Sequence, residues 1–293
     1  MSPIDPDRDR RSPSALDSRD RPGVSRTVAA VRRVLADLGG GALDLVLAPV
    51  CVCCGAPVPT RLQDRVVCPL CGSRIRTLPL PRCSRCWTPL PSHQAGVEGA
   101  CRLCPELRPA IRAIRSACLL EGPARKLIHA LKYQGWRSVV GPLGSRMARV
   151  SWPEEVEREV RLVVPVPIAP LRLRERGFNQ AALLAEEIAA LKGWKSRPAL
   201  LQRTRSAGSQ TTLHPGERRA NVAGAFRVAS EAENMLSSEH ILLVDDVWTT
   251  GATARSCADT LLDAGARAVS VLTFARALPE FERHSRRLEA ANH

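Results

Sequence analysis

The sequence predicts an α/β protein. A domain with a parallel sheet follows a pair of small units held together by metal instead of by a core. Three observations carry this. Apolar runs of strand length alternate with amphipathic helical stretches from about residue 110 onward. Nine of the eleven cysteines fall between residues 51 and 104. Those cysteines occur as a tandem repeat of paired C-x2-C motifs.

At 293 residues the chain has room for two domains. Its composition, 44% apolar and 25% charged, is that of an ordinary globular protein. Aromatic residues make up only 3%, so the cores must be built from Leu, Val, Ala and Ile. No run of 18 apolar residues occurs, and a membrane span is not expected. The opening stretch MSPIDPDRDRRSPSALDSRDRPG lacks the apolar centre of a secretory signal, so the expected location is cytoplasmic. The 43 Lys and Arg outnumber the 29 Asp and Glu, for a net charge of +14. Eight thiolates with two zinc ions would lower that by four, to +10. Nucleic acid or a small polyanion is the matching partner class, and a generally Arg-rich composition is the plain alternative.

Residues 1–26 mix Arg and Asp with Ser and Pro and are expected to be a disordered tail. Residues 27–50 carry a helical pattern, with Val31, Val34, Leu35 and Leu38 on one side and a Gly39–Gly41 interruption, and are expected to be a packing segment. Residues 51–109 form the double cysteine unit. In it, 51–59 matches 83–91 at an offset of 32, and 68–71 matches 101–104 at an offset of 33. Two C-x2-C turns place four sulfurs around one ion, which is the ligand set of tetrahedral zinc. The spacing predicts two zinc ions, one on Cys51, Cys54, Cys68 and Cys71, the other on Cys83, Cys86, Cys101 and Cys104. Cys53 is left as a spare. Cys118 and Cys257 sit in apolar contexts and read as small core residues. Trp87 stands in the second copy where the first has Gly55. Arginines 61, 65, 74, 76, 82, 85 and 102 could form a basic face for DNA or RNA; a solvated face is the plainer reading.

Residues 110–277 are expected to be the α/β domain, with 278–293 as a tail. AIRSACLL, RLVVPVP, ALLQR, HILLVDD and ARAVSVLTFA read as strands. GPARKLIHALKYQG, RSVVGPLGSRMARV, FNQAALLAEEIAALKG and ATARSCADTLLDAG read as helices. The long polar loop 204–221, with Arg203 at its entry and Arg205, Gln210, His214, Arg218 and Arg219 within it, has the character of a mobile flap.

The most informative stretch is ILLVDDVWTTGAT, residues 241–253. A buried strand runs into Asp245 and Asp246, at the end where open α/β sheets bind ligands. Adjacent carboxylates repel and call for cations or hydroxyl donors, which the vicinal hydroxyls of a ribose provide. Thr249, Thr250, Gly251, Ala252 and Thr253 then open a helix whose free N–H groups suit a phosphate.

This order of residue types resembles the phosphoribosyl pyrophosphate (PRPP) motif of type I phosphoribosyltransferases. The resemblance implies that Asp245 and Asp246 hold the ribose hydroxyls as the catalytic pair and that 249–253 hold the 5-phosphate. Together with VVPVP (163–167), RLRERGFNQAALLAEEIA (172–189), LKYQG (131–135) and the series Gln210, Leu213, Glu217, Arg218, Asn221, Gly224, Ala225, Phe226, it resembles the ComF family. These are competence-associated, phosphoribosyltransferase-like proteins that include the GntX-type members. The resemblance covers about residues 43–276. It implies pyrophosphate contact by Arg174 and Arg176, and Mg²⁺ accompanying PRPP. It also implies transfer of a 5-phosphoribosyl group to an unspecified nitrogen acceptor, linked to DNA uptake. The other reading it leaves open is a non-catalytic sensor of PRPP or nucleotide that binds single-stranded DNA and the competence machinery.

Overall fold

A computed structural model of the chain describes residues 50–58, 66–97, 101–204, 224–230 and 236–278. The expectations for 1–26, for 27–49, for most of the loop 204–221 and for the tail beyond 278 lie outside these residues.

The main sheet has five strands, all parallel, in the order β1-β7-β6-β2-β3. They are β1 (Ile111–Leu119), β2 (Leu162–Pro165), β3 (Lys195–Ser196), β6 (His240–Trp248) and β7 (Ala268–Arg276). A second, antiparallel pair joins β4 (Leu201–Arg203) to β5 (Phe226–Val228). The helices are α1 (Pro69–Ser73), α2 (Gly122–Tyr133), α3 (Val140–Ala148), α4 (Glu154–Glu159), α5 (Pro170–Arg176), α6 (Gln180–Lys192) and α7 (Ala252–Asp263). Two elements, α4 (EEVERE) and the two-residue β3, carry no periodic signal in the sequence. The first is almost wholly charged and buries Val156 alone, and the second is too short to show a period.

The apolar runs are explained by double coverage. Leu242 and Val244 of β6 pack with Leu127 and Leu131 of α2, Leu143 of α3 and Ile188 of α6 on one face. Ile241 and Leu243 pack with Cys257 and Leu261 of α7 and with Phe226 of β5 on the other. Each strand thus serves two cores and reads as continuously apolar. Helix α6 is capped by Asn179, whose Oδ1 accepts from the Ala181 N–H at 3.0 Å, and it stops at Gly193 in the left-handed conformation (φ 68°).

The two cysteine units divide between the same two cores. Val58, Val67 and Ile75 of the first unit join the α2/α3/α6 side. Leu90 and Leu107, from the second, join the α7 side. Two arginines lock the second unit in place. Arg85 donates to the carbonyls of Cys104, Arg108 and Ile111. Arg276, from the end of β7, donates to Cys86 O (2.8 Å) and Thr88 Oγ1 (3.0 Å) and stacks over Trp248. Charged hydrogen bonds of this kind contribute about 1.5–3 kcal/mol each. Arg85 is therefore structural, and Arg76 pairs with Glu121 at 3.1 Å. Arg85 thereby drops out of the basic face suggested by its position in sequence, whereas Arg76, 73% exposed, still presents its charge to solvent.

The repeat is visible in the backbone. Val50 bridges Pro57 as Arg82 bridges Pro89, and Gly55 N–H donates to Cys51 O as Trp87 N–H donates to Cys83 O. Gly55 has φ 73°, and Trp87 takes the same left-handed turn at φ 55°. For a residue with a side chain that conformation costs about 1–2 kcal/mol.

Candidate ribose-phosphate and metal sites

The strand order places a crevice. From β2 the chain moves outward through α6 to β3, and from the neighbouring β6 it moves the opposite way through α7 to β7. Such a reversal opens a ligand crevice beyond the carboxyl ends of the two strands. The link between them runs to the strand tips, where Val166 N–H donates to Val244 O at 2.8 Å. On one side of the crevice β2 leads into α5, which carries Arg174 and Arg176. On the other, β6 leads through Thr249–Gly251 into α7. The two segments singled out in the sequence therefore flank one opening.

Asp245 and Asp246 lie within β6, which continues past the expected HILLVDD run to Trp248. Neighbouring side chains in a strand leave opposite faces. Asp246 turns to the α2 side, where it is 3% exposed and its Oδ2 lies 2.5 Å from Lys132 Nζ. Asp245 is half-buried beside Cys257 of α7, and its carboxylate pushes the Cys257 thiol further up than burial alone does. Its Oδ1 accepts the Asp246 N–H at 2.8 Å. Burial, then repulsion from Asp246, raises the proton affinity of Asp245 well above the usual carboxylate range. The expected matched pair is thus two unlike carboxylates, one locked to a lysine and one with no ion-pair partner among the described residues.

Gly251 is the pivot of the turn. It caps α7 at φ 76°, and a Cβ there would stand 2.0 Å from the Trp248 ring. Only glycine allows both. Thr249 and Thr250 are exposed, Thr250 Oγ1 accepts from Ala252 N–H at 3.4 Å, and Thr253 lies in the first turn of α7. Arg255, one turn on, reaches Glu106 of the second cysteine unit at 2.6 Å. Across the crevice, Arg176 bonds Gln180 Oε1 at 3.0 Å and lies 5.2 Å over the Tyr133 ring, while Arg174 is exposed on α5. Lys132 was not identified as a site residue from the sequence. Its only signal was its place in LKYQG, because a contact spanning more than a hundred residues leaves no local period.

The cysteines form two groups, Cys51/Cys54/Cys68/Cys71 and Cys83/Cys86/Cys101/Cys104, with the sulfurs of each within 4.8 Å of one another. Individual separations are 3.7 Å (Cys54–Cys68), 3.5 Å (Cys83–Cys104) and 3.3 Å (Cys86–Cys101). A Zn–S bond of about 2.3 Å gives a tetrahedral edge of about 3.8 Å, so both groups fit the ion. Burial resists ionisation of Cys51, yet the N–H groups of Cys68, Cys53 and Cys54 bring its thiol down to about 6. Burial and the neighbouring sulfurs push Cys71 the other way. Four thiolates cannot share such a space without a cation. Cys53 stands apart: its Sγ faces Pro123 O at 3.6 Å, and burial pushes its thiol to about 12.

The chain is 31% identical over 234 residues to the DNA utilization protein YhgH of Escherichia coli K12, covering 78% of this chain and 91% of that protein. The chain belongs to the ComF family. Competence protein ComFC of Bacillus subtilis is 27% identical over 227 residues, 72% of this chain and 83% of its own length. Competence protein F of Haemophilus influenzae is 34% identical over 118 residues, 39% of this chain and 50% of that one. Among solved structures, a B. subtilis glutamine PRPP amidotransferase complexed with ADP and GMP matches at 21% identity and TM-score 0.32, over 47% of this chain and 26% of that one. No family model matches. The described part of this ComF chain is a parallel-sheet α/β domain preceded by two four-cysteine units that could bind zinc. No helix among the described residues is long and apolar enough to cross a membrane.

The raised proton affinity of Asp245 has a consequence for stability. Below the unfolded value near 3.8 both states hold the proton. Above it the unfolded chain ionises first, so folding stability falls as pH rises. Asp245→Asn is expected to raise the melting temperature at pH 7.5, with the gain shrinking as pH falls toward 4 in thermal melts across pH.

Proposed function

We propose that this ComF protein binds PRPP at the β2/β6 crevice and transfers its 5-phosphoribosyl group to a nitrogen acceptor, releasing pyrophosphate. The observation that carries this is the strand order, which sets the carboxyl end of β6, with Asp245 and the Thr249–Thr253 turn after it, beside that of β2, which leads into the α5 arginines. In this reading the turn N–H groups and threonine hydroxyls hold the 5-phosphate, and Asp245 accepts from the ribose hydroxyls. Asp246 is a positioning residue, held by Lys132. Arg174 and Arg176 meet the pyrophosphate with planar, permanently charged groups. Mg²⁺ arriving with PRPP would supply further charge neutralisation at the leaving pyrophosphate. The C1–O bond to pyrophosphate breaks as the nitrogen forms its bond to C1, and the leaving group carries away the electron pair. The residues' task is then to orient the sugar and to stabilise its transient positive charge, for which an ionised Asp245 is well placed.

The cysteine groups are proposed as structural zinc sites. The names of relatives, a DNA utilization protein and two competence proteins, support a proposed role in DNA utilisation or competence, and a cytoplasmic location is part of the proposal. A non-catalytic role, sensing PRPP while binding single-stranded DNA, is favoured by one observation, the net charge of +14.

Native mass spectrometry of freshly purified protein is expected to find two zinc ions per chain; metal-free folded protein would remove this part. Calorimetric titration with PRPP and Mg²⁺ is expected to give micromolar-scale binding, about 8 kcal/mol. In Asp245→Asn/Asp246→Asn that binding is expected to be lost. Unchanged binding by the double variant would place the ligand elsewhere. Turnover with a nucleobase separates the enzyme from the sensor.

A further inference from the structure

A cavity of about 600 Å³ lies at the far edge of the sheet, between the segment joining the two cysteine units, strand β1 and the end of α3. None of Arg174, Arg176, Asp245, Asp246 or residues 249–253 lines it. Three arginines, Arg82, Arg146 and Arg149, line it together with Trp87 and Ser116. No carboxylate lines it among the described residues. The nearby Glu121 is paired with Arg76.

The positive charge here is concentrated. Trp87 has the Arg82 guanidinium 3.6 Å from its ring and that of Arg115 at 4.7 Å. Arg115 is engaged with the backbone, donating from Nε to Ser151 O and from Nη1 to Arg85 O and Ile114 O. The other three are less so. Arg82 makes one long bond to Leu78 O at 3.4 Å. Arg146 donates from Nη2 to Ile75 O, while its buried Nε finds no acceptor among the described residues. Arg149 is exposed, and its side chain makes no hydrogen bond or ion pair among the described residues. The left-handed turn at Trp87, where the sister unit has glycine, sets the indole that orients Arg82. Backbone strain of this kind persists where a site needs it.

We propose that this cavity is a second anion site that takes a compact polyphosphate group, a di- or triphosphate, through Arg82, Arg146 and Arg149. Three guanidinium groups without counter-charges call for a multiply charged anion, and their planar forks match phosphate oxygens. The volume falls in the range of small-molecule pockets, about 300–1,000 Å³. With walls from three elements, that favours a compact ligand over an extended strand. The proposal does not depend on the reading of the crevice.

The test is calorimetric titration of the zinc-loaded full chain with inorganic tripolyphosphate, without Mg²⁺, at two salt concentrations. Wild type and Asp245→Asn/Asp246→Asn are expected to bind alike, more weakly at high salt. Arg146→Gln/Arg149→Gln is expected to bind at least about tenfold more weakly. Arg149→Gln alone, which removes no contact of the fold, is expected to weaken binding several-fold if the double variant fails to fold. No binding by wild type, or unchanged binding by Arg149→Gln, overturns the proposal. So does a single-stranded oligonucleotide that displaces tripolyphosphate at lower concentration, which would make the cavity part of a strand-binding groove.

Discussion

Strand β6 carries two carboxylates into the end of a parallel sheet that is covered on both faces, and that charge must be answered from within the fold. Lys132 answers half of it. Burying an ion pair costs desolvation that only close geometry repays, and removing one partner of a buried pair typically costs about 3–5 kcal/mol. The 2.5 Å approach of Lys132 to Asp246 therefore ties the end of α2 to β6 across more than a hundred residues. With Asp246 committed, Asp245 is left half-buried beside its neighbour and resists ionisation. A site that holds a carboxylate in this state gains when a ligand brings hydroxyl donors or cations to it. Fold stability is reduced at the point where binding would restore it.

The cysteine units are part of the same design. Each contributes apolar side chains to a different face of the sheet. Arg85 and Arg276 weld the second unit to β1 and β7, and Glu106 of that unit holds Arg255 in the first turn of α7. The helix that follows the phosphate-type turn is thus braced by residues next to a metal-type cysteine group. Arg108 adds a second brace, 2.5 Å from Asp263 at the other end of α7.

Much of this was legible in the sequence because its causes are local. Double coverage makes parallel strands continuously apolar, so β1, β2, β6 and β7 stand out by composition. The paired C-x2-C motifs declare themselves by spacing, and the repeat offset correctly set Cys53 apart from the four-sulfur group. Gly251 is legible because one turn requires both a positive φ and room for Trp248. Other features depend on which face a side chain meets. Asp245 and Asp246 look equivalent in sequence, but strand alternation sends one to Lys132 and the other to α7. Arg85 looks like surface charge until three carbonyls are seen around it. The short β3 and the acidic α4 are formed by the sheet edge and by Val156, not by propensity.

The central claim is that residues 245–253, with Lys132 behind them, form a ribose-phosphate site. Amide hydrogen exchange with and without PRPP and Mg²⁺ tests it most directly, because it reads location as well as binding. The account predicts added protection in the Thr249–Ala254 amides and at the end of α2, with the cysteine units unchanged. Protection confined to the cysteine units, or none by folded, zinc-loaded protein at millimolar PRPP, would contradict it.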